Sequence, residues 1–259
     1  GKFFFCNHVC TVTVAHTEIV CNSTSGVGSG HVWRAYVGHH FDALTRIPGP
    51  ASTATSSYAP PSIASAGITS PDLDLRGDLF PSIAIAHLDT RGDDTVIIAG
   101  TNFGPTSYRF SGCYGAPQVD PLARVGASYG RDRDPAKSAW HQKTYTANIC
   151  TVTKDHVEMT CKTTEGSGKG HRWTVVVGAQ SSMVSNQTVG YRFPKIFRVF
   201  GPSVDSLATS GGETILLSGD FFGPLSLVRD EVASIKYGHH ATAWDSNDRH
   251  YPPYFTHCE

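Results

Sequence analysis

Four of the seven cysteines fall into two pairs of one spacing: Cys10 with Cys21, and Cys150 with Cys161, eleven residues apart in each case. Two strands that fold back in a hairpin of that length bring such a pair within the ~4.4–6.8 Å between Cα atoms that a disulfide requires. No Cys-x-x-Cys is present, and repeated cysteine spacings in a Ser/Thr-rich chain point to disulfides of an oxidising compartment rather than to a metal centre. Cys6, Cys113 and Cys258 are further disulfide candidates, and the odd count leaves one thiol free or paired elsewhere. If another copy beginning at Gly1 follows Glu259, Cys258 and Cys6 become close in sequence and able to pair. Asn22-Ser23-Thr24 and Asn186-Gln187-Thr188 fit the N-glycosylation acceptor pattern, so Asn22 and Asn186 are expected to carry glycans. Residues 45–61 (TRIPGPASTATSSYAPP) offer Thr45, Ser52, Thr53, Thr55, Ser56 and Ser57 as O-glycosylation candidates. That stretch has few apolar residues to bury and is expected to stay extended, with an ordinary flexible loop as the alternative.

The other chemistry-bearing residues point to less. Thirteen histidines invite a metal reading. However, the adjacent pairs His39-His40 and His239-His240 would point to opposite faces of a strand. His16 with His156, and His31 with His171, recur in repeated blocks, which packing or turn chemistry explains better than ligation. No metal is expected. Arg76-Gly77-Asp78 and Arg91-Gly92-Asp93 read as ordinary loop residues before adhesive ones. No Gly-x-Ser-x-Gly, His-Glu-x-x-His or phosphate loop occurs. The Gly26–Gly30 run precedes a strand rather than a helix, so it lacks the helix amino terminus that cradles phosphate. The expectation is a non-enzyme with no cofactor beyond covalent glycans.

The elements that carry these residues repeat. The 259 residues allow one to three domains. Apolar residues make up 39 % and charged residues 17 %, with a net charge of −1. Basic and acidic residues are scattered, which argues against a nucleic-acid partner. No run of about eighteen apolar residues exists, so no membrane span is expected. Residues 10–40 match 150–180 without a gap, at 15 of 31 positions. Thr95-Val96-Ile97-Ile98-Ala99-Gly100-Thr101-Asn102-Phe103-Gly104-Pro105 resembles Thr214-Ile215-Leu216-Leu217-Ser218-Gly219-Asp220-Phe221-Phe222-Gly223-Pro224. The block order is Cys, Phe-Gly-Pro, Cys, Phe-Gly-Pro. Hence one whole unit is expected at 80–193, with the carboxy-terminal half of a unit at 1–58, a linker or insertion at 59–79, and the amino-terminal half of a unit at 194–259. Half a set of strands cannot close a core, so each half must be completed by more chain, a neighbouring chain, or the other half.

The local period is that of β structure. Val32–Val37 and Arg172–Val177 are β-branched and aromatic, Thr95–Ala99 and Thr214–Ser218 are short apolar runs stopped before Gly, and Ser234–Tyr237 is a further candidate. No sustained helical period appears, so almost no helix is expected. The motifs are Pro194-Lys195-Ile196, Gly211-Gly212-Glu213-Thr214, Gly219-Asp220-Phe221-Phe222-Gly223, Cys150 and Cys161, Gly166–Gly170, Val175-Val176-Val177-Gly178 and Tyr191-Arg192-Phe193-Pro194, drawn from two adjacent units. This set resembles the IPT/TIG domain, an immunoglobulin-like sandwich of plexins, fibrocystin-like proteins and many protist surface proteins. Arg91-Gly92-Asp93-Asp94 departs from the pattern, and Gly115–Tyr145 reads as an insertion-bearing loop.

The resemblance implies an all-β chain of tandem immunoglobulin-like (IPT/TIG) β-sandwiches, with Trp33 and Trp173 packed in cores. It implies an extracellular, cell-surface location and a structural role: self-association of repeats or subunits into a glycosylated filament, the two half-units serving as assembly surfaces. The alternative is the ectodomain of a plexin-like or fibrocystin-like receptor that binds a cell-surface protein ligand. An intracellular DNA-binding relative fits poorly, since paired cysteines and a lack of basic loops both count against it.

Overall fold

The computed structural model describes residues 10–38, 47–71, 86–106, 125–131, 144–201, 204–225, 235–237 and 257–258. Twenty strands and no α-helix occur among them. The amino-terminal part holds the hairpin of β1 (Thr11–Val14) and β2 (Glu18–Val20), then β3 (His31–Val32), β4 (Tyr36–Val37), β5 (Ile47–Pro48) and β6 (Thr55–Ser56). There β1 pairs β2, β3 pairs β6 and β4 pairs β5, all antiparallel. The middle holds β7 (Ser62–Thr69), β8 (Ala86–Leu88), β9 (Thr95–Thr101), β10 (Val125–Arg131), β11 (Thr144–Thr146), β12 (Asn148–Lys154), β13 (Glu158–Lys162), β14 (Lys169–Val177), β15 (Gln180–Ser181) and β16 (Val189–Tyr191). The last part holds β17 (Lys195–Phe200), β18 (Leu216–Asp220), β19 (Ile235–Lys236) and β20 (His257–Cys258).

The middle strands form two sheets around one core. One runs β12-β13-β9-β7, and the other β11-β10-β14-β16-β8 with β15 on the side of β14. Every pairing is antiparallel except β16 with β8. Side chains alternate between faces along a strand, and the sequence obeys this. In β14, His171, Trp173, Val175 and Val177 turn inward; in β9, Val96 and Ile98; in β13, Met159 and Cys161. Ile68 and Phe103 join from the first sheet, and Tyr129, Tyr145, Val189 and Tyr191 from the second.

Cys150 bonds Cys161 across β12–β13 at a Cα separation of 4.1 Å, and Cys10 bonds Cys21 at 4.4 Å beside the β1–β2 hairpin. Both bonds staple neighbouring strands of one hairpin.

Two sequence readings are corrected here. Residues 59–79 read as a linker or insertion, but Ser62–Thr69 is β7, an integral strand of the first sheet with Ile68 fully buried. The ladder breaks between Ile63 and Ile68, where Ala64-Ser65-Ala66-Gly67 bulges away from β9, and that bulge erases the period of two. Gly115–Tyr145 read as an insertion-bearing loop, yet Val125–Arg131 is β10, paired along its whole length with β14. Its small residues (Gly126, Ala127, Ser128, Gly130) hide its β character, while Ala127 and Tyr129 are buried. Cys6, Cys113, Thr45, His39-His40, His239-His240 and Arg76-Gly77-Asp78 lie outside the described residues.

Candidate assembly surfaces

The central unit shows what a closed unit looks like. Tyr191 lies over the Gly166 turn, where a Cβ on Gly166 would stand 2.5 Å from its hydroxyl oxygen. That hydroxyl donates to the Thr164 carbonyl at 2.8 Å and shares a 2.7 Å hydrogen bond with Tyr129. His171 Nε2 donates to the Ser167 carbonyl, and the Trp173 amide donates to Ser185 Oγ. The rings of Tyr129 and Trp173 stack at 4.4 Å. Burial, and then the neighbouring phenols Tyr129 and Tyr145, push the Tyr191 phenol well above its ordinary value. A phenol held neutral in the folded state contributes stability that is intact below its ordinary value and lost as the pH rises through it. The urea midpoint of the central unit should therefore fall above about pH 10, and Tyr191→Phe should flatten that fall. An equal alkaline slope in the variant would exclude Tyr191 as its source.

The amino-terminal part repeats the hydrogen bonds of Tyr191, His171 and Trp173 at the matching residues. Tyr58 lies over Gly26 and donates to the Thr24 carbonyl at 2.7 Å. His31 Nε2 donates to the Val27 carbonyl, and the Trp33 amide donates to Ser52 Oγ. The Tyr58 amide donates to Gly28 O as the Tyr191 amide does to Gly168 O. Ser52, Ser56 and Ser57 spend their hydroxyls on this framework, holding the Ala54 carbonyl, Trp33 Nε1 and the Gly30 amide. The 45–61 stretch, read as extended or flexible, thus carries β5 and β6 and closes the half-unit. Thr53, Thr55, Asn22 and Asn186 are exposed.

The last part repeats the opposite half. Lys195 lies opposite Asp220 and Ile196 opposite Gly219, as Ser62 lies opposite Thr101 and Ile63 opposite Gly100. Pro61-Ser62-Ile63 is thus the counterpart of Pro194-Lys195-Ile196, and that tripeptide was the signal for β7 that reading the period missed.

The halves differ from the central unit in burial. Trp173 is wholly buried while Trp33 is 54 % exposed, which corrects the expectation that both tryptophans sit in cores. Phe103 is wholly buried while its counterpart Phe222 is 39 % exposed. Ile19, Val20 and Val37 on the first half, and Phe197, Val199 and Leu216 on the last, are exposed as well. Trp33, Ile19, Val37, Val199 and Phe222 stand where the central unit buries Trp173, Met159, Val177, Ile68 and Phe103, whereas Val20 and Leu216 match the outward Thr160 and Ile97, and the covering sheet is absent among the described residues. Exposed apolar side chains at such positions are what a unit without its covering sheet presents.

Each half joins the central unit through three residues. Ala59-Pro60-Pro61 precedes β7, and Arg192-Phe193-Pro194 precedes β17. At the first joint Asn102 Nδ2 donates to the Pro60 carbonyl and Gln180 Nε2 to the Tyr58 carbonyl. At the second the Arg192 guanidinium lies over the Phe221 ring, the residue matching Asn102, and Arg91 pairs with Asp220 at 3.6 Å. Arg91-Gly92-Asp93 is thereby built into a turn, with the Asp93 amide donating to the Thr163 carbonyl. His16 and His156 occupy hairpin turns at positive φ. No group of three or more His, Cys, Asp or Glu able to hold a metal occurs among the described residues.

No family model matches the chain, and neither a curated protein nor a solved structure matches it. The internal repeat is therefore the comparison that carries the argument.

Proposed function

We propose that this chain is a structural, extracellular protein of tandem IPT/TIG-type sandwiches that self-associates into a surface filament, its half-units completed by neighbouring repeats or subunits. The observation that carries this reading is the matched pair of incomplete units, each with its framework formed and its core residues exposed. The two disulfides fit an oxidising compartment, and the exposed Asn22 and Asn186 fit surface glycans. The test is sedimentation velocity and negative-stain microscopy of the secreted protein over a range of concentrations. The reading expects concentration-dependent linear polymers, and a strict monomer throughout would refute it.

A further inference from the structure

The central unit contains, within one polypeptide, the contact that the two halves lack. There β13 lies on β9 with Glu158 opposite Ala99, Met159 opposite Ile98, Thr160 opposite Ile97 and Cys161 opposite Val96. The ladder runs on past the strands. The Gly100 amide donates to the Val157 carbonyl, the Phe103 amide to the His156 carbonyl, and the His156 amide to the Gly104 carbonyl. Through the two repeat offsets, β13 becomes β2 and β9 becomes β18. Among the described residues β2 pairs only with β1, and β18 only with β17.

Resting on the self-association reading, we propose that β2 of one copy docks antiparallel on β18 of a second copy. In that register Glu18 faces Ser218, Ile19 faces Leu217, Val20 faces Leu216 and Cys21 faces Ile215. Three further observations support it. First, the backbone at both edges already has the shape the contact needs: His16 has φ 66° and His156 65°, Phe221 63° and Asn102 63°, Gly223 93° and Gly104 84°. Such conformations are uncommon for residues other than glycine, and here they recur in parts whose strand edges have no such partner among the described residues. Second, the second sheet agrees. Tyr237-Gly238 follows β19 as Tyr129-Gly130 closes β10, so Tyr237 would meet Trp33 as Tyr129 meets Trp173. Tyr237 and Trp33 are 53 % and 54 % exposed. Third, the halves of a single chain are held apart. The first contacts the central unit at Gly178 and Gln180, just beyond the end of β14, and the last at Thr90, Arg91 and Glu165, before its start. Nine residues of strand separate these ends by about 30 Å, so the two halves of one chain do not meet each other, and the proposed occupant is a second copy. Such a contact joins two different surfaces and propagates into an open chain of subunits.

The experiment mixes two preparations, one carrying Val20→Cys and the other Leu216→Cys, oxidises them, and sequences cross-linked tryptic peptides by mass spectrometry. Both positions are exposed, so neither change disturbs a core. A link between positions 20 and 216 is then necessarily between copies, whatever the native cysteines do. The register expects that link, and its loss when Leu217→Cys replaces Leu216→Cys, because a one-residue shift turns the side chain to the other face. Sedimentation is run on the same mixtures. Polymers without the 20–216 link overturn the register and leave self-association standing. Monomers throughout overturn both.

Discussion

Trp173→Ala is expected to cost the central unit about 3–5 kcal/mol, the range for truncating a fully buried tryptophan. Trp33→Ala, at the matching position, is expected to move the unfolding midpoint of the central unit by no more than about 0.5 kcal/mol. The contrast follows from surroundings. Trp173 is wholly buried, stacked on Tyr129 and packed in the core between its own sheet and the first. Its removal leaves a cavity that the disulfide-stapled sheet opposite cannot collapse to fill. Domains of this size are stable by only about 5–15 kcal/mol, so the loss would be a fifth or more of the total. Trp33 is half exposed, held by its backbone to Ser52 and through Nε1 to Ser56. Its truncation should instead abolish self-association. Urea unfolding followed by tryptophan fluorescence, alongside sedimentation, reads both. A large midpoint shift for Trp33→Ala would mean that the first half-unit already has a closed core in the free chain.

The second large effect is expected from Gly100→Ala. A Cβ there would stand 1.9 Å from the Ser62 carbonyl oxygen and 2.5 Å from the Phe103 ring. The ring can tilt, but a backbone carbonyl in a ladder cannot yield without breaking the ladder. The first end of β7 should peel from β9 and Phe103 should leave the core, at more than the ~1–3 kcal/mol of ordinary overpacking. Amide hydrogen exchange is the sharper readout. Protection should fall at Ser62 and Thr101 while β14 keeps its protection relative to the global unfolding rate. Gly219→Ala creates the same clash, with Lys195 O at 1.8 Å. It should loosen β17 and β18 and leave the central unit unchanged. Equal destabilisation of the central unit by both changes would refute the assignment of Gly219 to a separate, incomplete unit.

Much of this fold is legible in the residues, though unevenly. The cysteine spacing, the two repeats and the strand period of Arg172–Val177 are direct, since each depends on neighbours in sequence. β7 and β10 are not legible by period. One bulges through four small residues and the other is half glycine, alanine and serine, so their strand character comes from the ladders they join rather than from their own propensity. The candidate surfaces show the same divide. That Trp33 matches Trp173 is visible in the repeat. That one is exposed and the other buried depends on which strands are present to cover them. The serine framework of Ser52, Ser56 and Ser57 was hidden for another reason: a Ser/Thr-rich stretch reads as a loop unless the donors it must satisfy, flanking β3 nineteen to twenty-seven residues earlier, are already known.

The three-residue joints carry a last consequence. A prolyl link this short, with side-chain contacts across it, limits swing, so the step from one unit to the next is set at each joint. Repetition of one such step is a screw operation. In the proposed assembly such a step would give a fixed pitch and a rod that bends stiffly rather than as beads on a string, with contacts such as Arg192 on Phe221 and Asn102 on Pro60 resisting the bend.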